Sequence, residues 1–246
     1  MMHRIKEAWF ELNGIRSDAM GILLRGLPTR TVAAKKYKHK DVSGRDGTVR
    51  SGGGEYTDST VELECDVIDE SRMIEILGWL STPGTLRFSD EPNMLYTNAT
   101  IEKAFQRKFI MPRATAQRFP IKWTCDPFRK LTPEADPISI LASGMQIINP
   151  GTAEALPRIE ITGNGDFALT IGRQTMFFKG IEGGVIVDTE LGDALTPDSA
   201  QLINDKTDGA LFKIQPGANV VSWLTGGEDT SGSVSEIKII PRWRYV

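Results

Sequence analysis

Asp90 and Glu91 are adjacent carboxylates in the stretch "GTLRFSDEPNMLY". Two carboxylates are the usual acid/base equipment for cleaving a glycosidic bond, but they must face one another across the substrate. Neighbours in an extended chain point to opposite sides, so this pair is expected not to act together. Pro92 holds Glu91 in extended geometry, and Ser89 and Asp90 are turn formers. The stretch therefore reads as a turn.

The other chemically capable residues point the same way. The two histidines, His3 and His39, lie at the start of the chain and inside a basic run, neither beside a serine or cysteine in a known catalytic pattern. No Cys/His pair has metal-ligand spacing. "GNGDFA", residues 163–168, formally fits a dinucleotide fingerprint, yet that motif needs a following helix and "FALTI" reads as a strand. Gly163-Asn164-Gly165-Asp166 is instead expected to be a hairpin turn between two apolar runs. Catalysis, metal and cofactors are accordingly not expected. "NAT", residues 98–100, is a chance match to a glycosylation acceptor.

Cys65 alternates with Val61, Leu63 and Val67, and Cys125 shares a strand face with Phe119, Ile121 and Trp123. Both thiols are expected to be buried and free; a bridge between them is conceivable but not readable from spacing. Lys35, Lys36, Lys38, Lys40, Arg45 and Arg50 form a basic segment with Tyr37 among them, which could meet phosphates. Asp41, Asp46 and Glu55 interrupt it, so a solvated edge or a contact with an acidic partner is the better reading. Trp223 and Trp243 are the candidates for stacking on sugar, although each falls on an alternating strand, where a core position is commoner.

The elements that would position these groups are mostly strands. "AWFELNGIRS" reads as a strand followed by an Asn13-Gly14 turn, and "AAKKYKHKDVSGRDGTVRSGGGEY" as an exposed loop or protruding hairpin. "TDSTVELECDVID" alternates clearly. One helix is expected in "DESRMIEILGWL", with Asp69 as N-cap, Ile68 stapled on Met73, and Met73, Ile76, Leu77 and Leu80 as its buried stripe. The Pro- and acid-rich "RKLTPEADPIS" marks a boundary near residues 130–137, which divides the chain into residues 1–132 and 133–246. The second part carries strands and turns about every ten residues, its last strand placing Ile237, Ile239, Pro241, Trp243 and Tyr245 on one face.

The bulk properties fit. The chain has 246 residues, 40% hydrophobic and 25% charged, with a formal net charge of −3. That supports a sizeable core and gives no overall attraction to nucleic acid or an anionic membrane. No 18-residue apolar run or signal-peptide pattern occurs, so a protein made in a cytoplasm is expected.

The helix ending in "WL", then "GTLRFSDEPNMLYTNATI", then "RFPIKWTCDPF" resembles the N-terminal domain of the siphophage distal tail protein family. "FELNGIRSDAMGILL" is similar to that family's opening and "SGRDGT" to its Gly-Arg-Asp-Gly loop. "LTIGRQTMFFKGIEGGVIVDTEL" and "FKIQPGANVVSWLTG" resemble its C-terminal β-sandwich. The resemblance implies a mainly β chain: an N-terminal β-sandwich-type ring domain with one α-helix, then a galectin-like or carbohydrate-module-like sandwich. It also implies a structural, non-enzymatic role in a hexameric ring that joins the tail tube to the tail tip or baseplate. The implied partners are further copies of the chain, a tail tube protein, a tail-tip protein and a receptor-binding protein, in a virion tail assembled in the bacterial cytoplasm. Inserted host-binding modules found in some members are not apparent here. Within that frame, Lys36, Lys38, Arg45, Asp46 and Arg50 are the expected subunit-interface residues.

Overall fold

The computed structural model of the chain describes residues 8–67, 69–103, 106–109, 117–227 and 230–246. His3 and the expected staple of Ile68 on Met73 lie outside the described residues. The chain divides into two compact units, residues 1–132 with Val246 and residues 133–245.

The first unit begins with β1 (Phe10–Leu12), β2 (Ile15–Arg16), β3 (Ile22–Leu24) and β4 (Thr29–Thr31). It continues with β5 (Lys35–Asp41), β6 (Thr48–Tyr56), β7 (Ser59–Val67) and the helix α1 (Met73–Leu80). It closes with β8 (Gly84–Phe88), β9 (Glu91–Ala99), β10 (Lys108–Phe109), β11 (Gln117–Cys125) and β12 (Arg129–Leu131). One sheet runs β2-β1-β8-β9-β12; the other runs β10-β11-β7-β3, with β4 also on β7. β1 turns into β2 through Asn13 and Gly14, at φ 53° and 80°, the left-handed pair a type I′ turn requires.

Strict alternation on β7 and β11 builds the core between the sheets. Val61, Leu63, Cys65 and Val67 point inward from one strand, and Phe119, Ile121, Trp123 and Cys125 from the other. The rings of Phe10 and Phe88 meet Trp123 edge-on at centroid distances of 5.0 and 6.3 Å. Each such contact contributes about 0.5–1.5 kcal/mol beyond the area it buries. Cys65 lies opposite Phe119 and Cys125 opposite Ser59, so six residues, roughly 20 Å of strand, separate the thiols along the ladder. Both are free and buried.

α1 lays Met73, Ile76 and Leu80 on this core and leaves Leu77 partly buried. It starts later than expected. Asp69 caps a 3₁₀ turn over Glu70–Arg72, its Oδ1 accepting from the Ser71 backbone N–H at 3.0 Å, and α1 itself follows Arg72 with no side-chain cap.

The second unit holds β13 (Ile138–Ile140), β14 (Met145–Asn149), β15 (Arg158–Ile171), β16 (Gln174–Ile181) and β17 (Val185–Asp188). β18 (Asp193–Leu195), β19 (Thr207–Gly209), β20 (Gly217–Leu224) and β21 (Ser233–Ile240) follow, with the short β22 (Arg244–Tyr245) after them. The expected hairpin at residues 163–166 is not there. β15 runs straight through that stretch as one strand, and the chain reverses at Gly172-Arg173, where Ile171 pairs with Gln174. The first half of β15 pairs with β17 and β21, and the second half with β16 and β20. Around that change of partners the ladder slips, between Thr162 and Gly163 on one side and between Gly165 and Phe167 on the other.

The glycines serve close approach. A Cβ on Gly163 would lie 2.3 Å from the Ser233 carbonyl oxygen, and one on Gly165 2.9 Å from the Gly232 Cα. Asn164 and Asp166 accept the backbone N–H groups of Gly183 and Gly180, both at 2.7 Å, which ties the strand to the end of β16 and the loop after it. Ile159, Ile161, Phe167, Leu169 and Ile171 point inward, with Phe167 stacked on Phe178 at 4.8 Å. The last expected strand is shorter than its pattern: β21 ends at Ile240, and Arg242, at φ 49°, breaks it, although Pro241 and Trp243 stay buried.

Candidate assembly surfaces

β5 and β6 form a two-stranded ribbon that joins neither sheet of the first unit. Every residue of β5 is exposed. Among the described residues the ribbon is pinned at its foot. There the Thr57 N–H donates to the Ala34 carbonyl at 2.8 Å and the Ala34 N–H to Thr57 Oγ1 at 3.0 Å. Tyr56 packs edge-on against Phe128 at 4.9 Å, with the Lys35 ammonium 5.8 Å above its ring.

Beyond the foot, local rules alone shape this arm. Lys40 pairs with Val49 and Asp41 with Thr48, and the tip between them turns on Gly44 and Gly47 at φ 80° and 76°. The ladder slips between Lys35 and Tyr37, and the Tyr37 ring lies over Gly53, where a Cβ would come within 2.7 Å of it. The five expected interface residues all lie here: Lys36, Lys38 and Arg50 on the strands, Arg45 and Asp46 in the tip. Lys36, Lys38, Lys40, Arg45 and Arg50 reach no carboxylate among the described residues.

Asp90 does sit in a turn: Ser89-Asp90 link β8 to β9, with Phe88 opposite Glu91. Strand alternation does not govern a turn residue, however, and the two carboxylates converge instead of diverging. Arg30 of β4 grips Asp90 through both oxygens at 2.7 and 2.8 Å and lies 3.5 Å from Glu91. Its Nε donates to the Tyr96 hydroxyl at 2.9 Å, and Arg129 meets Glu91 from the other side at 3.1 Å. Burial works against the charge on Arg30, but its hydrogen bonds to Asp90 together with the neighbouring Tyr96 and Glu91 more than offset this and hold the guanidinium pKa above its ordinary value. Asp90 is likewise pushed up by burial, but Arg30 and the backbone N–H groups of the turn together hold it below the usual carboxylate range. Both acids are thus spent on holding β4 to the β8–β9 turn.

In the second unit Arg242 holds Asp188 through both oxygens at 2.7 and 2.9 Å. Asp188 is 1% exposed and also accepts the N–H groups of Glu190 and Leu191 at 3.1 and 3.2 Å. Trp243 is 6% exposed, so its rings belong to the interior and offer no stacking face. Trp223, opposite Leu169 on β20, is half-buried. A cleft of about 500 Å³ opens beside the β15–β16 turn, lined among others by Arg173, Gln174, Lys213, Gln215 and Asn219, with no aromatic side chain. Among the described residues no group of three His, Cys, Asp or Glu could hold a metal ion. No helix is long and apolar enough to cross a membrane.

No family model matches the chain, and no curated protein matches it by sequence. Among solved structures it superposes on SPP1 Dit with a TM-score of 0.75, covering 98% of this chain and 100% of that one at 13% identity. The chain has the fold of SPP1 Dit. That protein is described as a paradigm of the hub adsorption apparatus in phages that infect Gram-positive bacteria. The mainly β architecture with one helix that the sequence leads one to expect is therefore the Dit architecture. The ion pairs of Arg30 and Arg242 escape sequence reading because their partners lie 60 and 54 residues away.

Proposed function

We propose that this chain is a structural subunit of a phage tail hub, located in the virion tail and assembled in the host bacterial cytoplasm. Copies close into a hexameric ring that links the tail tube protein to the tail-tip protein or baseplate, and through it to a receptor-binding protein. Residues 1–132 form the ring and residues 133–246 a galectin-like sandwich. The observation that carries this reading is the end-to-end match with SPP1 Dit. The side-chain chemistry agrees: the adjacent carboxylates are locked in ion pairs, and both thiols are buried, Cys65 raised well above and Cys125 pushed up to about 12 by loss of solvent.

A closed ring needs a patch on each copy that fits a different patch on the next. The arm β5–β6 is suited to that, and Arg45 and Asp46 at its tip are the proposed intersubunit ion-pair partners. Negative-stain imaging of the purified protein is the test, with six-fold rings around a central channel as the expected result. Replacing Arg45 and Asp46 with alanine should weaken the rings and leave the thermal melt unchanged; unaltered rings would remove the tip from the interface. Of the two tryptophans expected to stack on sugar, Trp243 is enclosed and only the half-buried Trp223 keeps a solvent-facing edge for a sugar-binding role. A glycan screen without hits would remove that reading.

A further inference from the structure

Charge is divided unevenly between the two units. Residues 1–132 hold 21 of the 29 Lys and Arg residues and 17 of the 32 Asp and Glu residues, a balance of +4. Residues 133–246 hold the remaining 8 basic and 15 acidic residues, a balance of −7. Within the first unit the arm is the concentrated positive element, with six basic against three acidic residues between Lys35 and Tyr56. Within the second, the excursion from Asp193 to Gly209 carries Asp193, Asp198, Asp205 and Asp208 against Lys206 alone.

We infer that the arm docks on the acidic C-terminal unit of a second copy of this chain, at the excursion that carries Asp198, Asp205 and Asp208. The inference rests on the ring reading and names the surface that receives the arm. The arm is an ordered ribbon with almost no packing of its own beyond the foot, so its exposed cations are presented and not absorbed. Among the described residues its lysines pair with no carboxylate. On the receiving side Asp198, Asp205 and Asp208 are exposed and, among the described residues, in no ion pair, while Lys206 donates to the Gly180 carbonyl at 2.8 Å. Tyr37 and Val42 on the arm and Leu202 on the excursion are exposed apolar groups that such a contact would cover.

The two surfaces balance, at +3 for the arm and −3 for the excursion. Each copy carries one of each, so the contact runs head to tail, the geometry that closes rings. Opposite fields of this size steer encounter and are screened beyond roughly 8 Å in physiological salt. A nucleic acid is a poorer fit, because the acidic second unit would travel with the arm and repel it.

The test uses the full chain in two variants: Lys36→Glu, Lys38→Glu and Lys40→Glu on the arm, and Asp198→Lys, Asp205→Lys and Asp208→Lys on the excursion. All six positions are exposed, and thermal melts confirm that each variant folds. Sedimentation velocity over a wide concentration range should show each variant alone associating at least about tenfold more weakly than the parent, since three exposed pairs become three repulsions. An equimolar mixture of the two should recover association to within about threefold of the parent, because the reversed arm of one meets the reversed surface of the other. If the parent forms rings and the mixture stays as weak as its components, the arm docks elsewhere and the inference fails while the ring reading stands. A parent that remains monomeric at every concentration removes both.

Discussion

Replacing Arg242 with methionine isolates one buried charge. Asp188 is held in the second unit by both guanidinium nitrogens and by two backbone N–H groups. Methionine keeps much of the length of the arginine stem and, like it, must adopt the φ of 49°, so backbone strain is the same on both sides of the comparison. The change leaves a carboxylate that is 1% exposed with only the two N–H bonds. Breaking a fully buried pair costs 3–5 kcal/mol; because Arg242 keeps some solvent contact and the N–H bonds remain, about 2–3 kcal/mol is expected. For a unit of this size that lowers the urea midpoint by about 1–2 M.

The pH dependence carries a second signature. Burial pushes the Asp188 pKa up, but Arg242 and the backbone N–H groups more than offset that and hold it below its ordinary value. A depressed carboxylate pKa contributes stability above the unfolded value, about 3.9, and that stability is lost as pH falls through the lower folded value. Without Arg242 the carboxyl protonates more easily, so the gap between variant and parent should close on acidification. The assay is urea unfolding at neutral and acid pH, followed by Trp fluorescence, with Asp188→Asn made in both backgrounds. A midpoint shift under about 0.3 M, or an Asp188→Asn cost independent of Arg242, would refute the reasoning.

Gly163→Ala should destabilise the second unit by about 2 kcal/mol or more, because the new methyl meets the Ser233 carbonyl, which β-sheet pairing prevents from moving. A urea midpoint within error of the parent would show that β21 yields there. Thiol labelling at neutral pH should be negligible in the folded chain and reach both cysteines only in denaturant, since burial holds Cys65 and Cys125 as thiols. Rapid labelling of one thiol without denaturant would place that strand end in solvent.

The first unit was largely legible because its residues obey local rules. Alternation on β7 and β11 names the core directly, the Asn13-Gly14 turn has only one backbone solution in a hairpin, and the charge on β5 declares its exposure. Residues 163–166 misled for a physical reason. Glycine marks either a positive φ at a turn or a close approach of two backbones, and only the position of Gly232 and Ser233, some seventy residues on, decides between them. Asp90 misled in the opposite way: it was placed in a turn correctly, but its partner Arg30 lies on another strand, and no periodicity links the two. The arm was visible as a segment, while what it touches is a property of surfaces and so depends on the fold of the second unit as much as on its own sequence.

The continuity of β15 also governs how the second unit comes apart. Its two sheets have one strand in common, so neither can melt while the other keeps its hydrogen bonds in register. Opening either sheet strips partners from half of β15 and loosens the rest. The unit is therefore expected to behave as one cooperative block, whose most slowly exchanging amides lie along residues 158–171. The arm is its opposite, two strands with no sheet behind them, whose amides are expected to exchange independently of that block.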